Sequence, residues 1–183
     1  MQKYTKKPKA QNFRHFFCNF APETKLEKYI MAQYTNTSCE IKSIVKTFEE
    51  LTTSELYEIL KVRAAVFVVE QEICYQDMDD IDFRATHVAL WHGNQIVAYS
   101  RVFKDEEPDA WHIGRVLTTQ RNKKYGLQVM EEAIKVAKNL GGKMIKIEAQ
   151  SYATGFYEKV GFQICSEEFL LDGILHKKMK LQM

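Results

Sequence analysis

The sequence predicts a mixed α/β layered domain, and three observations carry the prediction. Residues 85–91 and 96–103 alternate apolar and polar side chains as paired strands do, and Gly93-Asn94 between them suits a tight hairpin turn. A further strand-like run, 111–118, is followed by apolar residues at helical spacing and then by another strand-like run, 143–149, which makes a crossover unit. The chain ends in two more such runs, 163–171 and 174–181, joined at Asp172-Gly173.

The remaining elements fall into place around these. Residues 1–40 stand apart as a basic and aromatic N-terminal extension. Lys3, Lys6, Lys7, Lys9 and Arg14 precede the first acidic residue, Glu23, and Phe13, Phe16, Phe17 and Phe20 are interleaved with them. Such a segment suits a flexible tail, an arm that touches RNA or an anionic surface, or residues upstream of a usual start at Met31. It lacks the continuous apolar segment of a secretory signal. Ile41–Phe48 reads as an opening strand, and residues 41–183 form the folded domain. Thr52 with Glu55 three residues later resembles a capping box, and a helix through Leu56, Ile59, Leu60 and Phe67 follows. Leu127, Met130, Ile134 and Ala137 mark the helix 124–139, and 152–160 suits a short helix.

Composition narrows the function classes. A chain of 183 residues with 45% hydrophobic content has enough apolar material for one domain with an appendage. The 26 basic residues nearly balance 24 acidic ones, so no global field points to nucleic acid as a partner. Cys18, Cys39, Cys74 and Cys165 lie far apart without a C-x-x-C pair, which suits reduced thiols and argues against a zinc site. No apolar run approaches the ~20 residues of a membrane span, so a soluble cytoplasmic protein is expected.

The chemistry concentrates in residues 111–162. The loop Arg121-Asn122-Lys123-Lys124-Tyr125-Gly126 opens the central helix, and a helix that starts in a basic, glycine-containing loop offers free backbone N–H groups and a positive dipole end to an anion. The strand before it can hold an extended chain by its edge. Together they suit a pyrophosphate joined to a long amide-bearing arm, which is the make-up of coenzyme A.

This stretch resembles the GNAT N-acyltransferases, whose phosphate loop reads R/Q-x-x-G-x-G/A. Arg121 and Gly126 fit, and Lys124 stands where the first glycine is usual. Phe156-Tyr157-x-Lys159-x-Gly161-Phe162 follows about thirty residues on, as in the family. Arg63–Gln71, Tyr75-Gln76-Asp77-x-Asp79, Gly114-Arg115-Val116 and Asp172-Gly173-Ile174-x-His176 narrow the resemblance to the ElaA-like branch, over roughly residues 41–183. It implies the GNAT fold, a central and mostly antiparallel sheet flanked by helices and splayed open beside strand 111–118. It also implies an acetyl-CoA-dependent N-acetyltransferase acting on a small-molecule or protein amine, without a metal. The acceptor and the oligomeric state, a homodimer included, stay open.

Direct transfer from thioester to amine needs a neutral amine, a hydrogen-bonded oxyanion and a proton for the leaving thiolate. No cysteine carries the marks of an activated thiol, so a ternary complex is expected. Backbone N–H groups from Arg121 to Leu127, Tyr125 and Gly126 included, would bind the pyrophosphate, with charge from Arg121 and Lys124. Val116, Leu117 and Thr118 would pair with the pantetheine amides and supply an oxyanion donor. Gln150 and Phe156 complete the cofactor wall. Tyr157 is the candidate general acid, since a phenol of pKa near ~10 can protonate a departing thiolate. For the base, Glu70 shares a helical face with Arg63 and Phe67, and His87 enters a strand from a loop; His176, Glu148 and a bound water are further candidates. The cluster Asp77, Asp79, Asp80 and Asp82 lacks the glycine and glutamate of a calcium loop and suits either a negative rim for a cationic amine or a solvated acidic loop. Two other functions remain open. One is an acyl-homoserine-lactone synthase, suggested by Arg63-x-x-Val66-Phe67 and Asp77-x-Asp79. The other is a non-catalytic acyl-CoA-binding module.

Overall fold

The computed structural model describes residues 40–183, so the rest of the expected extension, with Met31, lies outside the described residues. The strands are β1 (Ile41–Thr47), β2 (Thr86–His92), β3 (Gln95–Lys104), β4 (Ala110–Thr118), β5 (Met144–Gln150), β6 (Gln163–Ile164), β7 (Phe169–Leu171) and β8 (Ile174–Gln182). They form one open sheet in the order β1-β2-β3-β4-β5-β8-β6, with β7 also paired to β8. Every pairing is antiparallel except β4 with β5.

Helix α1 (Thr53–Arg63) begins where the sequence signals it. The Glu55 N–H donates to the Thr52 hydroxyl at 3.2 Å and the Thr52 N–H donates to the Glu55 carboxylate at 2.8 Å, a complete capping box. The expected continuation through Phe67 is not α-helical. Residues Ala64–Glu70 widen into a π-helical segment, closed by a bond from the Gln71 N–H to the Val66 carbonyl at 3.2 Å. Glu72 then takes a left-handed φ of 56°, which turns the chain away from the helix axis. A short helix α2 (Ile81–Arg84) follows in a stretch with no periodic signal.

Helix α3 (Tyr125–Asn139) carries the chain from β4 to β5. Its Val129, Met130, Ala133, Val136 and Ala137 pack on one face of the sheet against Val88, Leu90, Ala98, Ile113 and Ile147. Helix α1 covers part of the other face, where Ile59 and Val62 meet Ala89, Ile96, Tyr99 and Leu117. Val88 and Leu90 serve one layer and Ala89 the other, as strand alternation requires. Strand β3, central and covered on both faces, therefore buries an unbroken run from Ile96 to Val102. The expected strand 163–171 is broken: Cys165, Ser166 and two glutamates separate β6 from β7, and the Ser166 hydroxyl accepts from the Lys178 N–H at 2.8 Å.

Candidate active site

Strands β4 and β5 pair only at Ala110–Met144, Trp111–Ile145 and His112–Lys146. Past His112 they part. β5 stays with β8 along its whole length, while β4 follows β3 through a bulge. Arg101 faces Gly114 and Tyr99 faces Leu117, so Ser100 opposes both Arg115 and Val116. The parting leaves the β5-side edge of β4 without a strand partner from Ile113 onward and opens a cleft of ≈ 1170 Å³.

At the bulge, Arg115 takes φ 53°, a left-handed conformation that costs a non-glycine residue about 1–2 kcal/mol. Its side chain is tied down in return. The guanidinium donates to the Asp77 carboxylate at 2.7 Å and lies 5.8 and 5.7 Å from the ring centres of Phe67 and Tyr75. Asp77 belongs to a larger network. Arg63, fully buried, donates to Asp77 at 2.9 Å and to Asp82 at 2.7 Å, while Arg101 donates to Asp82 at 2.7 Å and to Asp79 at 2.6 and 2.7 Å. Three arginines thus neutralise three aspartates beneath the cleft floor. The expected negative rim is corrected here: Asp77, Asp79 and Asp82 are spent on arginine, and only Asp80 remains exposed. The shared helical face of Arg63 and Glu70 is corrected as well, because the π-helical turns send Arg63 into the interior and leave Glu70 in solvent.

The loop before α3 holds two left-handed residues, Asn122 at φ 62° and Lys124 at φ 60°. Lys124 therefore adopts the conformation that the family's glycine would favour, and its chain stays exposed at the cleft. No side chain caps α3, so the N–H groups of Tyr125, Gly126 and Leu127 at its first turn are open to an anion. A Cβ on Gly126 would meet Thr118 Cγ2 at 3.4 Å and the Phe156 ring at 3.5 Å, so the helix start is seated closely between β4 and helix α4 (Thr154–Glu158).

The cleft brings together Val116, Leu117, Thr118, Arg121, Lys124, Tyr125, Gly126, Leu127, Gln150, Phe156, Tyr157 and Glu70. The Tyr157 ring packs edge-on against Phe156 and Phe162, with centres 5.0 and 6.1 Å apart. Burial, and then the neighbouring Tyr152, push its phenol pKa well above the ordinary value and keep it protonated. Glu70 is paired with Arg121 across the cleft, and Gln71 accepts from the Gln150 amide at 3.2 Å.

His87 does not reach this cleft. It is fully buried, and its Nε2–H donates to the Asp82 carbonyl at 3.0 Å, so Nδ1 must accept from the Tyr99 hydroxyl at 2.7 Å. Burial lowers its pKa, and the ring is a neutral structural link. His176 does line the cleft, with Nδ1–H donating to the Ile174 carbonyl at 2.9 Å. Sequence reasoning gave no site role to His112, which stands where β4 and β5 part, or to Tyr75 and Arg115 on the cleft wall, which it named only for the resemblance. The only signal for His112 was its position in the strand before the phosphate loop.

Among the described residues no group of three or more His, Cys, Asp or Glu side chains could hold a metal ion, and no helix is long and apolar enough to cross a membrane. Residues 49–183 match the family model for an acetyltransferase (GNAT) domain. The chain belongs to the GNAT acetyltransferase family. ElaA of Escherichia coli is 36% identical over 133 residues, which is 69% of this chain and 87% of ElaA. The crystal structure of that protein superposes with a TM-score of 0.73 over 78% of this chain and 100% of its own, at 32% identity. An acyl-CoA N-acyltransferase from Pseudomonas aeruginosa gives a TM-score of 0.72 at 32% identity, covering 76% of this chain and 99% of that one. The AHL synthase LasI shares the fold, with a TM-score of 0.66 over 79% of this chain and 91% of its own, at 12% identity.

Proposed function

We propose that this chain is a cytoplasmic enzyme that moves an acetyl group from acetyl-CoA directly to an amine, in a ternary complex. The observation that carries the proposal is the parting of β4 from β5 after three residue pairs, which leaves a free strand edge leading to the open first turn of α3. An extended pantetheine arm matches the edge, and a pyrophosphate matches the helix start.

In this reading the amine nitrogen attacks the thioester carbonyl carbon, the C–S bond breaks, and the thiolate leaves with a proton from Tyr157. A backbone N–H of β4 near Val116 stabilises the oxyanion, and Leu117 and Thr118 extend the backbone pairing with the arm. Arg121, Lys124 and the N–H groups of Tyr125, Gly126 and Leu127 take the pyrophosphate, while Gln150 and Phe156 flank the arm. When Arg121 turns to the pyrophosphate it releases Glu70. Glu70 and Glu148 are then the carboxylates on the cleft wall that take the amine's proton, with His87 excluded by its burial.

The first test is a thermal-shift titration with acetyl-CoA. Ligand at 100 times its Kd adds about 2.7 kcal/mol, and at this size each kcal/mol moves the midpoint by roughly 2–4 °C. A saturable rise with acetyl-CoA and with CoA, but not with ATP, is expected. No shift at millimolar acetyl-CoA would overturn the reading.

A further inference from the structure

A second cavity, of ≈ 600 Å³, runs over the sheet below the parting point and shares His112, Ile147 and Glu148 with the first. It lies on the side chains of β5 and β8 that face away from α3. Met144, Lys146 and Glu148 alternate there with Ile145, Ile147 and Ala149, which are buried in or packed towards the α3 layer. The two cavities therefore meet where transfer would occur, and a groove leads away from that point towards the turn between β3 and β4.

The charges along the groove are ordered. Glu148 stands at its upper end, opposite Lys178 in the β5–β8 register, with Lys178 Nζ 4.0 Å from its carboxylate. One step further, Lys146 is opposite Lys180. Lys146 is already committed, to Asp105 at 3.0 Å and to Glu107 at 2.6 Å. Lys180 has no carboxylate in salt-bridge range among the described residues. From the transfer point outward the groove thus presents the Glu148 carboxylate and then the uncompensated ammonium group of Lys180, beside Lys178, which reaches Glu148 only at 4.0 Å. Two residues along a strand separate Glu148 from the level of Lys180, a distance of about 7 Å.

We propose that this groove is the acceptor's binding site, and that the acceptor is an amine carrying an anionic group about 7 Å from its nitrogen. The inference rests on the acetyl-transfer reading. The amine enters beside Glu148 and His112, and its carboxylate or phosphate is held by Lys178 and Lys180. A diamine of the same length would set its second ammonium against those lysines.

The test uses full-length protein and acceptors with equal spacing and different ends: 6-aminohexanoate, 4-aminobutyl phosphate, hexylamine and 1,5-diaminopentane. One of the two anionic acceptors should exceed hexylamine in kcat/KM by up to about fivefold, with the diamine last. Which anionic acceptor leads separates a carboxylate source from a phosphate source. The double variant Lys178→Glu, Lys180→Glu should reverse the order in favour of the diamine, while acetyl-CoA still raises the thermal midpoint. Cys165, an exposed thiol lining the groove, gives a readout independent of turnover. Its alkylation, mapped by peptide mass spectrometry, should slow with the preferred anionic acceptor and not with hexylamine. Equal rates for all four acceptors, an unchanged order in the double variant or unprotected Cys165 would overturn the groove assignment and leave acetyl transfer standing. No thermal response to acetyl-CoA would overturn both.

Discussion

Tyr157 is held against Phe156 and Phe162 in surroundings that disfavour its ionised form, so it keeps its proton, as the proposed general acid must. Removing the hydroxyl alone tests that arrangement. Tyr157→Phe should keep acetyl-CoA affinity while turnover falls by about 10²–10⁴-fold; initial rates alongside a cofactor titration would measure both, and unchanged turnover would take Tyr157 out of the mechanism. Lys124 makes a complementary point about backbone. As a residue it departs from the family's glycine, yet its φ of 60° matches what glycine would adopt. The side chain is exposed, so only the intrinsic left-handed cost is incurred.

At the scale of elements, the end of α1 and the β4 bulge are fastened to each other through charge. Arg63 at the end of α1 and Arg115 in the bulge share Asp77, so the position of one element fixes the other. Removing Arg63 would leave Asp77 and Asp82 buried with a lost partner. Arg63→Ala is expected to cost about 3–5 kcal/mol, a fall of roughly 6–20 °C in the thermal midpoint at this size, measurable by calorimetry. A loss under 1 kcal/mol would mean that the network relaxes around the gap. The capping box, the Gly93-Asn94 hairpin and the α3 stripe were legible because each depends on residues a few positions apart. The network was not, because Arg63, Asp77 and Arg115 are distant in sequence, and an aspartate run reads alike whether it meets solvent or arginine. The π-helical segment was hidden for another reason. Arg63, Phe67 and Glu70 fit a 3.6-residue period, and nothing local announces that the turn widens. The cleft-lining residues from Val116 to Leu127 were legible from the loop motif, whereas His87 failed because a histidine entering a strand carries no mark of which layer it will face.

For the whole molecule, buried histidines and carboxylates set the pH range of stability. Burial lowers the pKa of His87 and of His112 below the unfolded value of 6.5, in His112 despite the nearby Glu148 and Asp105. The unfolded chain therefore binds more protons as pH falls through that value. Their contribution is complete above about pH 6.5 and declines on acidification. Asp79 acts lower: burial raises its pKa, but hydrogen bonds and charge from Arg101 outweigh that and bring it below 3.8, so its contribution is lost as pH falls through the lowered value. Denaturant midpoints should fall between pH 7 and pH 5, and fall again below pH 4. His87→Gln should flatten the first step, and a midpoint independent of pH from 7 to 5 would contradict the neutral buried ring.

The unpaired side of β4 has one more consequence. An exposed strand edge normally invites another chain to pair with it, yet this one lies inside an eight-stranded sheet, where only a slender extended molecule can reach it. A pantetheine arm would serve there as a transient strand, completing a sheet that the polypeptide leaves interrupted. Amide hydrogens in the 114–118 stretch should then exchange with solvent more slowly once acetyl-CoA is bound, while those of β1 keep their rates; equal exchange with and without the cofactor would show that the edge is not its docking line.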